Sequence, residues 1–280
     1  MPTIEYSLFR VKMVRPPQTS FLHDDLTPRD LLLKAIFEKP SGELRKWFHW
    51  HIGNIRMFNE SNGYFAAGRT TISTIEKFDE ESSNFIEEEL EESPYTHCVF
   101  DAAIGFIGIA KKRNLSQTAK GIATRLEQLL SLASIVKNNN VIVEIRPIPD
   151  PDSFLKAIST AFKVFRFSAT FRGPNPFDAD EHFQKPLSVY LNAADGTNGK
   201  ATISGADLNR QVLQEVTRST AATGNEASAR IQKSRRQKPI TVNLRGDPVK
   251  RKYDEDEHQP EVVLADLTSQ YHRVRNDERS

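Results

Sequence analysis

The chain has 280 residues, 38% hydrophobic and 27% charged, and its 38 Lys and Arg almost balance 37 Asp and Glu for a formal net charge of +1. That composition is ordinary for a globular protein, and the length suffices for one large domain or two small ones. One cysteine, Cys98, excludes an internal disulfide; no apolar run approaches the roughly 18 residues of a membrane span; and Met1 to Tyr6 lacks the pattern of a secretory leader, so a soluble, cytoplasmic chain without membrane insertion is expected.

The first element predicted is a strand, Ile4 to Lys12, in which apolar and polar residues alternate. Thr27-Pro28 then has the form of an N-cap with proline in the first turn, and the helix that follows carries Leu31, Leu32, Leu33, Ala35, Ile36 and Phe37. Phe48 to Met57 and Tyr64 to Ile72 read as strands around an Asn-Gly turn. The acidic stretch Phe78 to Glu92 has a thin stripe of Phe85, Ile86 and Leu90 and is predicted to be a solvated helix. Thr96 to Phe100 and Ile104 to Ala110 form a second hairpin, turning at Asp101-Ala102-Ala103. From Ser116, Ile122, Leu126, Leu129, Leu130, Ala133 and Val136 recur at helical spacing up to Asn138. A strand (Val141 to Arg146), a short helix (Ser153 to Ala161) and a strand (Val164 to Phe171) follow.

Gly173-Pro174-Asn175-Pro176 interrupts any regular element, so a boundary is expected there, between an N-terminal unit 1–173 and a C-terminal unit 174–280. Beyond it come a predicted strand (Leu187 to Leu191), a loop (Ala194 to Gly199) and a helix (about Ala206 to Thr220). Two more strands (Ala227 to Gln232, Ile240 to Arg245) and a terminal helix within Asp254 to Val274 complete the chain. The fold class expected is α+β, with mixed or antiparallel sheets, packed helices and two subdomains.

The near-neutral total hides segregated charge. Arg230, Lys233, Arg235, Arg236, Lys238, Arg245, Lys250, Arg251 and Lys252 face only Asp247 across their stretch, while acidic residues gather in Asp79 to Glu92 and Asp254 to Glu257. Cations at this density neutralise phosphates and release counterions, which gives salt-sensitive, sequence-independent binding. Lys233 to Lys238 is expected to be a hairpin loop held by flanking strands, and Lys111-Lys112-Arg113 is a second candidate for contact with DNA. A basic loop can also serve only to keep a surface solvated, and the acidic segments could mask it, within one chain or across a dimer.

Catalytic patterns are missing. No phosphate loop, nucleophile elbow or His-Glu-x-x-His motif occurs, and no cofactor or metal is expected. His49 and His51 would share one strand face beside a core Trp50, and His97 would point away from a buried Cys98. Asp178, Asp180 and His182 are the strongest remaining enzyme candidate, as ligands of a nuclease metal, although the segment also reads as a polar helix start.

The order of elements runs from the first strand (Ile4 to Val11) through Gly63-Tyr64-Phe65-Ala66, the acidic stretch, Cys98-Val99-Phe100-Asp101 and Ile104-Gly105-Phe106-Ile107 to the helix after Ser116. It continues with Val143 to Ile148, Ala229-Arg230-Ile231, Ile240 to Leu244 and a last helix with Tyr271 and Arg273. This order resembles the RexA exclusion proteins of lambda-type prophages and related phage-defence proteins. The resemblance implies a homodimeric, non-sequence-specific DNA binder that senses infection and acts through a membrane-protein partner, with no catalytic residue to transfer. A metal-dependent nuclease effector and a self-associating scaffold are the competing expectations.

Overall fold

The computed structural model describes residues 2–15, 26–172, 183–194, 196–244, 248–255 and 258–275. Strand β1 (Thr3–Val14) is buried along most of its length, which marks a central strand with cores on both faces. Phe9, Val11 and Met13 enter one core, while Tyr6 and Leu8 enter the other.

The first core is closed by α1 (Pro28–Phe37) and α2 (Ala119–Leu130). Thr27 is the N-cap of α1 that the sequence predicts, and Asp30 completes a reciprocal capping box, side chain to backbone in both directions. Between the two helices lie β2 (Ser41–Arg45), β3 (Phe48–Met57), β4 (Asn62–Asp79), β5 (Asn84–Glu92), β6 (Tyr95–Asp101) and β7 (Phe106–Ala110). After α2 come α3 (Ser134–Asn138), β8 (Ile142–Pro147), α4 (Asp152–Ser159), β9 (Lys163–Arg172) and α5 (Gln184–Ala193). The chain continues with β10 (Asn198–Ser204), α6 (Arg210–Ala222), β11 (Ala227–Gln232), β12 (Ile240–Leu244), β13 (Lys250–Asp254) and α7 (Pro260–Arg275).

One sheet runs β13-β1-β7-β6-β4-β3-β2, with β8 also on β1 and β5 on β4; the other runs β10-β9-β11-β12, and the pairings are antiparallel. The fold class is therefore α+β. Both sheets draw strands from either side of residue 173, since β9 pairs with β10 and β11 and β13 returns to β1. The Gly173 to Pro176 segment itself lies outside the described residues.

Three expectations are corrected. The acidic stretch Phe78 to Glu92 is not a helix but most of a β-hairpin arm, in register from Thr71 opposite Glu92 to Asp79 opposite Asn84. The β-branched run Thr70, Thr71, Ile72, Thr74, Ile75 favours a strand, and Ser83 takes a left-handed conformation to close the turn. Leu187 to Leu191 lies within helix α5 rather than a strand; an apolar run that short fits either period. Residues 250–254 form β13, which the sequence reading left unassigned, so the terminal helix starts only at Pro260.

Three polar positions of β1, Ser7, Arg10 and Lys12, are as dry as its apolar ones. Arg10 is 0% exposed and Lys12 1%. Arg10 Nη1 donates to Tyr271 Oη of α7 at 2.8 Å, and Lys12 Nζ donates to Asn225 Oδ1, just after α6, at 3.3 Å. Gly224 makes this approach feasible: its φ is +65°, and a Cβ there would lie 3.3 Å from Arg10 Cβ and 3.1 Å from Arg146 Cβ.

Removing the Tyr271 hydroxyl takes one acceptor from a buried guanidinium. Tyr271→Phe is expected to cost about 1–3 kcal/mol, seen as a lower urea midpoint at unchanged slope. By contrast, β5 is exposed at every position and pairs only with β4. Replacing residues 74–89 by a two-residue turn should therefore change stability by less than about 1 kcal/mol, a few degrees or less in thermal midpoint.

Candidate nucleic-acid interface

The second sheet sorts its side chains by chemistry. Val164, Phe167, Ala169, Ala227, Ala229 and Ile231 face the core shared with α4, α6 and α7. The opposite face presents Arg166, Lys200, Thr202, Ser204, Arg230, Thr241 and Asn243, all exposed. None of the strands β9 to β12 contains an Asp or Glu.

Arg166 and Arg230 stand directly opposite each other on β9 and β11, at the rim of a shallow depression of about 310 Å³ with Ser204, Phe165 and Pro239. Arg166 Nε donates to Ser204 Oγ at 3.3 Å, and neither guanidinium has a carboxylate within 4 Å among the described residues.

The loop between β11 and β12 is the basic hairpin loop that the sequence predicts. Lys233, Arg235, Arg236 and Lys238 are all exposed and have no ion-pair partner among the described residues. The loop is shaped by its own backbone: Gln232 Nε2 donates to the carbonyls of Arg235 (3.3 Å) and Gln237 (2.9 Å), and Gln237 N donates to Ser234 O (3.1 Å). The Arg235 guanidinium lies 5.3 Å from the centre of the Phe162 ring. Among the described residues the acidic stretch 79–92 makes no ion pair with this loop; it is occupied in the β4–β5 arm, where Lys77 pairs with Glu88.

The basic stretch 230–252 is not one surface. Lys250, Arg251 and Lys252 lie on β13 at the edge of the first sheet, while the hairpin loop lies at the far end of β12. Arg251 Nε faces Asp266 Oδ2 of α7 at 3.8 Å, which also accepts from Tyr253 Oη at 2.7 Å. Arg245 lies outside the described residues. Lys111, Lys112 and Arg113 follow β7 and are exposed; Lys111 N donates to Glu5 O, which brings this cluster across β1 from β13. Lys111, Lys120 and Lys250 edge a recess of about 250 Å³. The candidate cations thus form two patches, one on each sheet.

Other candidates fall where packing puts them. Cys98 is fully buried, and burial raises its thiol pKa far above the usual range. The rings of His49 and His51 lie 4.8 Å apart on one face of β3 with Trp50 buried behind them, and His51 Nε2 is 2.9 Å from Thr70 Oγ1. No group of three or more His, Cys, Asp or Glu able to hold a metal occurs among the described residues. Asp178, Asp180 and His182 lie outside the described residues. No helix among the described residues is long and apolar enough to cross a membrane.

One cluster escaped the sequence reading because its members are far apart in the chain. Tyr6 Oη and His258 Nε2 share a 2.6 Å hydrogen bond, Tyr64 Oη and His97 Nδ1 share one of 2.9 Å, and the imidazole rings of His97 and His258 are 4.9 Å apart.

Neither a protein-family model nor a curated protein matches the chain.

Burial holds both imidazoles below the ordinary histidine pKa; His258 and then Lys112 lower His97 further, while Glu255 pulls against the shift at both. Below the ordinary value of about 6.5 the unfolded chain therefore binds more protons than the folded one, so these residues support the fold above about pH 6.5 and cease to as pH falls. Urea midpoints should drop between about pH 7.5 and 5.5, and the His97→Gln, His258→Gln double variant should flatten that profile.

Proposed function

We propose that the chain binds the phosphate backbone of DNA without reading its sequence, through the outer face of the β10-β9-β11-β12 sheet and the hairpin loop at its end. The observation that carries this reading is the opposed pair Arg166 and Arg230 on strands devoid of carboxylates. Like charges directly opposite in a sheet repel. A phosphate between them replaces repulsion by charge-assisted hydrogen bonds, which Ser204 and the neighbouring hydroxyls extend.

The loop cations Lys233, Arg235, Arg236 and Lys238 continue the same field beyond the sheet, and Lys111 to Arg113 with Lys250 and Lys252 give a second, separate patch for a bent or longer duplex. The reaction is binding alone; no residue is assigned a catalytic role. The resemblance to RexA exclusion proteins supports the wider role: a sensor or regulator in phage defence, working as a homodimer with a membrane-protein partner.

The test is fluorescence anisotropy of arbitrary-sequence duplex DNA at two salt concentrations. A chain meeting about five phosphates loses on the order of 500-fold in affinity between 50 and 200 mM salt. Arg166→Gln with Arg230→Gln should lower the logarithmic salt slope by about two, and neutralising the four loop cations by up to about four. Unchanged slopes in both variants would show that the surface is wrongly assigned.

A further inference from the structure

A second set of unpaired guanidiniums lies on the other sheet, away from the interface just described. Arg45 at the end of β2, Arg69 on β4 and Arg125 on α2 line one recess of about 240 Å³, together with Phe48, Trp50 and Ser116. Among the described residues no carboxylate lines it. None of the three arginines has an ion-pair partner within 4 Å among the described residues; Glu92 acts on Arg69 only from farther away.

The arrangement is built rather than incidental. The Phe48 ring carries two of the cations, with Arg69 Cζ 4.2 Å and Arg45 Cζ 5.6 Å from its centre. Arg69 Nη2 is anchored on Asn114 O at 2.8 Å, while its Nε is buried and lacks any partner. Arg125 Nη1 is held by Gln128 Oε1 at 2.8 Å. Arg69 and Arg125 are thus each anchored by one hydrogen bond and keep further N–H groups, while Arg45 is placed by the Phe48 ring alone. Burial and the charge of Arg45 both lower the pKa of Arg69, the mark of a cation whose charge is not compensated.

We infer that this recess is a binding site for a phosphoryl dianion, either free phosphate or diphosphate or the terminal phosphate of a larger molecule. Three guanidiniums converging on one recess suit a tetrahedral group with several oxygens better than a planar carboxylate, which one arginine satisfies in bidentate fashion. The volume of about 240 Å³ lies below the roughly 300 Å³ at which sites for whole organic ligands begin, so the recess has room for a phosphate or diphosphate group and a larger organic body projects out of it. The inference goes beyond the nucleic-acid reading and does not depend on it.

The chain has two tryptophans, and Trp50, 2% exposed, lines the recess whereas Trp47 is 71% exposed. In a Trp47→Phe background, Trp50 fluorescence therefore reports the site. The full chain is titrated at constant ionic strength with inorganic phosphate, diphosphate, a 5′-phosphorylated oligonucleotide and the same oligonucleotide with a 5′-hydroxyl. Saturable change with phosphate or diphosphate supports a free anion as ligand; a response to the 5′-phosphorylated oligonucleotide at least tenfold tighter than to the 5′-hydroxyl form supports a terminal phosphate.

Arg45→Gln and Arg125→Gln, both at partly exposed positions, should each weaken the response at least tenfold, and neutralising Lys233, Arg235, Arg236 and Lys238 should leave it unchanged. Equal responses to phosphate and to chloride at matched ionic strength overturn the inference, as does retention of binding in the arginine variants. Loss of binding on neutralising the loop also overturns it, by moving the effect to the other sheet. Loss of DNA binding with an intact phosphate response would count against the nucleic-acid reading alone.

Discussion

Two cations buried in the middle of a strand hold this fold together. Placing Arg10 and Lys12 in a dry interior is unfavourable unless polar groups meet them, and among those groups two come from late in the chain: Tyr271 on α7 and Asn225 after α6. β1 is thereby tied to elements more than two hundred residues away. The Gly224 turn passes so close to Arg10 and Arg146 that a side chain there would crowd both, and the second sheet is set against the first at this point. The direction in which β9 to β12 present their outer face follows from that junction. A variant that loosens the junction would therefore disturb the basic face without touching one of its residues.

The same chain keeps its charges apart. Carboxylates populate the β4–β5 arm, where Glu76 stands directly opposite Glu87, a repulsive pair that a solvated hairpin tolerates because water screens it. Arginines populate the outer face of the second sheet and the recess around Phe48. Mutual pairing of the two sets would have given a chain with many surface ion pairs, each of small value. Keeping them separate leaves positive fields of short range on surfaces that the backbone holds rigid, a better basis for attracting polyanions than mobile loops.

How much of this was legible in the sequence depended on whether a feature is local. The Thr27-Pro28 cap and the basic hairpin loop are written in neighbouring residues and the structure has them, while the periodic helix read from Ser116 to Asn138 is present as two, α2 and α3, broken at 131–133. In the acidic stretch, charge and the thin stripe of Phe85, Ile86 and Leu90 fit a solvated helix, whereas the β-branched run before it and the pairing of Phe78 with Phe85 decide for strands. β13 was invisible because an edge strand of Lys-Arg-Lys-Tyr-Asp has no apolar pattern of its own; its register on β1 supplies what its sequence lacks. The split of residues 230–252 into two patches follows directly from that strand.

The opposition of Arg166 to Arg230, and the meeting of Arg45, Arg69 and Arg125, could not be read from the chain at all, since each needs a register or a packing contact between distant segments. They share one logic. A folded state that brings like charges together without a counter-charge is higher in energy than one that disperses them, and selection of the fold alone would favour dispersal. An anion that binds only the folded chain relieves the repulsion and draws the folding equilibrium with it by mass action. If the two proposed sites take phosphate, repulsion in the free protein and affinity for the anion are the same free energy seen from two sides, whereas the opposed Glu76 and Glu87 on the solvated arm are relieved by water alone.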